Sequence, residues 1–111
     1  MMMAGLFKGQ DRRGEARVGV NLPAVALPSH SRCLVKDLSA GGCRLQLPQP
    51  SRLPDTVVVV LLQTGIAHQG SVRWRDPDQV GIKFERSADL RGIVPAVFVE
   101  AKALWLRESQ D

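Results

Sequence analysis

A mainly β fold, a small six-stranded antiparallel β-barrel carrying a C-terminal α-helix, is the architecture this 111-residue sequence predicts. Three observations point to it. Short alternating or β-branched apolar stretches recur from Val18 to Phe84, separated by turn-forming residues. Beyond Phe84 the apolar spacing lengthens to that of a helix. The chain is also the size of one domain, and its 44% hydrophobic and 23% charged residues suffice to bury a core.

The first sixteen residues mix Gly5, Gly9 and Gly14 with Lys8, Asp11, Arg12, Arg13 and Glu15 and lack apolar periodicity, which reads as a mobile leader. Val18 to Leu22 alternates and Ala24 to Leu27 resumes after Pro23, so the first strand should carry a bend or lie on an edge. Cys33-Leu34-Val35 and the alternating Cys43 to Leu47 are the next two strands, with Asp37 to Gly42 as a tight connection. Val57 to Leu62 reads as a buried strand, and Thr64-Gly65 turns the chain into His68 to Trp74. Asp76-Pro77-Asp78 is a turn leading to a short strand, Val80 to Phe84. Val94, Val97, Ala101 and Leu104 then place an amphipathic helix over 94–107, with Phe98 and Trp105 widening its stripe and Pro95 in its first turn. That helix should close or plug the barrel.

Composition excludes several function classes. The longest apolar runs are too short to cross a bilayer, and the Met1 to Phe7 segment lacks both a basic region before it and a small-residue cleavage site after it, so a cytoplasmic location without membrane insertion is expected. His30, Cys33, Cys43 and His68 are acceptable metal ligands by type, but their spacings match no zinc motif. Surface histidines, core cysteines and no metal are expected. No nucleophile elbow, Walker loop or G-x-G-x-x-G occurs, and no residue set supports an enzyme.

A net charge of +4 favours an anionic partner, and 11 of the 15 cationic residues are arginines. Arginine pairs bidentately with phosphate and with nucleobase edges. Arg13 and Arg17 form R-x-x-x-R, a pattern expected about once by composition alone. Asp37-Leu38-Ser39-Ala40-Gly41-Gly42 contains D-x-S-x-x-G, for which chance gives only about 0.04 occurrences.

With Val72-Arg73-Trp74 and Gly81-Ile82-Lys83-Phe84, these two motifs make the sequence resemble the PilZ domain family from residue 12 to about 107. The resemblance implies a barrel that binds the bacterial second messenger cyclic di-GMP through the arginine motif on the leader and the D-x-S-x-x-G motif between two strands. It divides the chain into a leader over 1–11, the domain over 12–107 and a tail over 108–111. Cyclic di-GMP offers two phosphodiesters and two guanines. Arg13 and Arg17 suit guanine-edge and phosphate contacts, Asp37 the guanine N1 and N2 donors, and Ser39 a hydroxyl contact. Gly42, with Gly41, would permit positive φ or close approach of backbone to ligand. Arg12 stands where, by the resemblance, an arginine favours a stacked ligand pair over a single ligand. Trp74 alternates with Val72 and is expected in the core rather than against a guanine, and Trp105 is expected to pack within the helix stripe.

The expected protein is therefore a ligand-operated switch or adaptor that performs no chemistry and needs no cofactor. Barrel and helix use nearly the whole chain, so its output should pass to a separate, unidentified effector protein or to ligand-dependent self-association. Two alternatives stand beside it. One is a PilZ-like protein-interaction adaptor without ligand; the other is a small nucleic-acid-binding barrel, disfavoured because three Phe, two Trp and no Tyr give few stacking platforms.

Overall fold

The computed structural model describes residues 18–109. Six strands form: β1 (Val18–Leu27), β2 (Ser31–Ser39), β3 (Gly42–Gln46), β4 (Thr56–Leu61), β5 (Ile66–Arg75) and β6 (Gln79–Asp89). They close as an antiparallel barrel in the order β1-β2-β3-β6-β5-β4. One helix, α1 (Val99–Glu108), follows. Among these residues no helix is long and apolar enough to cross a membrane.

Alternation sorts the strand residues into two cores. Ala24, Ala26, Val35, Leu45, Val59 and Val80 point into the barrel, where the buried Leu47 and Leu53 join them. The intervening Val25, Leu27 and Val60 point outward, and there Leu90, Phe98, Ala101 and Leu104 cover them. Strands β1 and β4 are thus apolar on both faces, which is why Val57 to Leu62 reads as a continuous apolar run rather than an alternating one. The helix lies against the outer wall of the barrel and does not plug it, because the barrel's own side chains already fill the interior.

Other boundaries also differ from expectation. The bend in β1 is present as a register irregularity between Gly19 and Leu22, but β1 is no edge strand, since it pairs with both β2 and β4. β6 runs to Asp89, well past Phe84, because its second half pairs with β5. Pro95 precedes a 3-10 turn at Ala96–Phe98, and α1 starts only at Val99. Trp105 packs in the helix stripe as expected, its indole Nε1 donating to the Leu62 carbonyl at 3.0 Å.

Both cysteines are buried and neither forms a disulfide. Cys33 Sγ lies 3.6 Å from the Ala24 carbonyl, and burial pushes its thiol from 9.0 up to about 12. The folded value lies above the unfolded one, so this group's contribution to stability is complete below pH 9 and is lost as pH climbs toward 12. Accordingly, Cys33 in the native protein should not react with a thiol-disulfide reagent at pH 8, and should react at once in denaturant. Rapid stoichiometric labelling of Cys33 without denaturant, located by mass spectrometry, would contradict this burial.

Candidate functional site

The D-x-S-x-x-G segment is not the six-residue connection its composition suggests. β2 continues through Asp37 and Ser39, β3 begins at Gly42, and only Ala40 and Gly41 turn the chain. Both polar motif residues therefore sit on a strand, where cross-strand register fixes their neighbours. Phe84 N–H donates to the Gly41 carbonyl at 2.9 Å and ties the turn to β6.

Register carries each of them into a lateral row. Asp37 stands opposite Arg44 on β3, Arg44 opposite Gly81 on β6, and Gly81 opposite Trp74 on β5. Ser39 stands opposite Gly42, Gly42 opposite Lys83, and Lys83 opposite Ser71. A register shift between Val35 and Asp37 resets the alternation, so that Leu38, Cys43, Leu45, Val80 and Ile82 pack inward and these two rows lie on the outer wall. A depression of about 270 Å³ opens there, floored by Gly42 and Gly81 and bordered by Arg73, Trp74 and Lys83.

The glycines make the floor. A Cβ on Gly42 would collide with the backbone carbonyl of Ile82, and one on Gly81 with the Trp74 indole. Close approach is thus the reason for glycine at 42; the positive φ occurs instead at Gly65, 74°. Trp74, expected in the core, is 43% exposed, because a register shift between the inward-packed Val72 and Trp74 turns its side chain to the outer wall, where Gly81 leaves room for the indole.

The electrostatics of the wall are dominated by cations. Arg44 Nε donates to Asp37 Oδ2 at 2.7 Å, and Arg44 Nη1 to Gln79 Oε1 at 3.1 Å. The bond to Asp37 raises the guanidinium further above its ordinary value. Arg73 and Lys83 are exposed and make no ion pair among the described residues. Ser39 Oγ donates to the Gly42 carbonyl at 3.3 Å, closing the motif on itself.

Arg12, Arg13 and Arg17 lie outside the described residues, as does the leader. The register nevertheless places the entry of that segment: Val18 pairs with Leu38 and Gly19 with Asp37, so the chain joins the barrel beside the motif carboxylate. Arg44, Arg73 and Lys83 carry no role in the sequence reading. Alternation through Cys43 to Leu47 was the available signal, since it puts Arg44 on the face opposite the buried cysteine, two residues beyond Gly42.

Fold and wall together define a class: a small closed antiparallel barrel with one apolar core inside, a second beneath its helix, and a cationic patch on its outer wall. The chain belongs to the PilZ domain family, whose sequence profile matches residues 11–94. Among solved structures it is similar to the Bacillus subtilis inhibitor of motility (MotI/DgrA), with a TM-score of 0.58 and 17% identity over 88% of this chain and 51% of that one. The chain thus spans about half the length of that protein, and the likeness is one of fold. No curated protein matches the sequence.

Proposed function

We propose that the protein binds cyclic di-GMP on the outer wall formed by β2, β3, β6 and β5, and acts as a ligand-operated switch or adaptor for a separate effector protein. The observation that carries this reading is the register. It sets Asp37 and Ser39 of the motif beside a glycine-floored depression ringed by two cations and an indole, in a chain of the PilZ domain family. Asp37 accepts from guanine N1–H and N2–H, Ser39 adds a hydroxyl contact, and Gly41 and Gly42 admit the ligand close to the backbone. Lys83 and Arg73 attract the phosphodiesters, and the Trp74 indole offers a stacking face. Arg12, Arg13 and Arg17 come to the ligand from the segment that enters beside Asp37. Bound ligand draws that segment onto the wall, changing the surface shown to the effector.

Calorimetric titration with cyclic di-GMP tests the reading, with tryptophan fluorescence recorded in parallel. Saturable heat is expected at micromolar protein, together with a change in emission that disappears in Trp74→Phe and persists in Trp105→Phe. No heat and no melting shift would remove the ligand and leave the adaptor alternative standing. Binding to single-stranded DNA with a steep salt dependence would favour the nucleic-acid barrel instead.

A further inference from the structure

Asp37 and Arg44 are direct cross-strand partners with side chains 25% and 32% exposed. Their bond uses one carboxylate oxygen, Oδ2, and the guanidinium Nε, while Nη1 is occupied by Gln79. Asp37 Oδ1 and Arg44 Nη2 make no side-chain hydrogen bond among the described residues. The wall therefore shows an unused acceptor next to an unused donor, both held in place by the pair itself. Gln79 fixes the guanidinium from its far side, so the arrangement is built before any ligand arrives.

An acceptor beside a donor is complemented by a base edge that sets a donor beside an acceptor. The Watson–Crick edge of guanine presents an acceptor, O6, followed by the donors N1–H and N2–H. Adenine presents the reverse, a donor at N6 followed by an acceptor at N1. Against Arg44 and Asp37, guanine makes two charge-assisted hydrogen bonds, O6 to the guanidinium and N1–H to the carboxylate. Adenine held in the same orientation sets donor against donor and acceptor against acceptor, and turned over to match it has no second donor in place of guanine N2–H to meet the carboxylate.

We infer that Arg44 is a specificity-determining residue, which with Asp37 reads a guanine base and rejects adenine. This inference rests on the proposed binding of cyclic di-GMP at this wall and deepens it: the motif carboxylate supplies half of the recognition, and a strand residue outside the motif supplies the other half.

The test measures dissociation constants for cyclic di-GMP and cyclic di-AMP by calorimetry on the wild-type chain, Arg44→Leu and Arg44→Lys, each checked for an unchanged melting temperature. The quantity read is the ratio of the two constants. Wild-type protein should favour cyclic di-GMP strongly. Arg44→Leu should cut that preference ~10- to 100-fold, the discrimination a charged base contact typically supplies. Arg44→Lys, which restores a single donor, should recover part of it. A ratio unchanged in Arg44→Leu, or a loss of affinity equal for both nucleotides, overturns the inference and leaves the wall a cyclic di-GMP site. Wild-type protein binding neither nucleotide overturns the parent reading, and this one with it.

Discussion

Replacing Phe98 with Ala is expected to destabilise the fold by about 3 to 5 kcal/mol, the usual cost of emptying a buried aromatic site. Phe98 is fully buried and sits where the 3-10 turn hands over to α1, among Val25, Leu27, Val60 and Leu90. It is the largest of the fully buried side chains, so no neighbour is long enough to refill its volume. The Arg86 guanidinium carbon, 5.9 Å from the ring centroid, would lose its aromatic partner as well. For a domain of this size each 1 kcal/mol lowers the melting temperature by about 4 to 8 °C, so a drop of at least about 12 °C is expected by calorimetry or circular dichroism. A drop below about 4 °C would mean that the helix contributes little to stability and that the outer core is dispensable. Because the proposed ligand wall is built by β2, β3, β5 and β6, a Phe98→Ala protein that remains folded should match the wild-type chain in its titration with cyclic di-GMP.

The second large effect is on binding. The double variant Arg13→Ala, Arg17→Ala is expected to lose at least about 100-fold in affinity for cyclic di-GMP, since two charge-assisted contacts, each contributing about 1.5 to 3 kcal/mol, go together. The register supports the geometry required: Gly19 stands opposite Asp37, so the described chain begins beside the carboxylate. Arg12→Ala should act differently. By the family resemblance it bears on how many ligands bind, so its signature is a change in calorimetric stoichiometry more than in the first dissociation constant. Melting temperatures without ligand should be unchanged in both variants. Full-affinity binding by the double variant would show that the wall alone, through Arg44, Lys83 and Arg73, accounts for the ligand, and would remove the proposed ordering of the leader.

Particular residues show why some of this was readable from sequence and some was not. Six strands and a final helix follow from period alone, because 2.0 and 3.6 are distinct signals and the change falls after β6. The helix position on the wall was not readable. Choosing between a plug and an outer layer depends on whether the barrel interior is already filled, and that is a property of all six strands at once. The length of β6 was missed for a related reason: Glu85, Arg86 and Ser87 are exposed and break the apolar pattern, yet pairing with β5 holds them extended. At the candidate site the motif was legible as residues and illegible as geometry. D-x-S-x-x-G looks like a turn by composition, whereas alternation along a strand is what puts Asp37 and Ser39 on the same face. Trp74 reads as inward because it stands two residues beyond the inward-packed Val72, and a register shift between the two, which composition does not announce, turns it outward over Gly81.

The two floor glycines differ in a way that shapes how such a receptor can diverge. At Gly42 the obstacle to any side chain is the carbonyl of Ile82, part of the barrel itself, so nearly every substitution there is a folding lesion. At Gly81 the obstacle is the Trp74 indole, a side chain that can be traded away. A lineage released from selection for the ligand can therefore drift by exchanging Gly81 and Trp74 for an ordinary strand pair, erasing the platform while the barrel persists. Position 42 keeps its glycine through that change. Glycine at 42 is thus demanded by the barrel itself, whereas glycine at 81 together with tryptophan at 74 is demanded only by the proposed use of the wall.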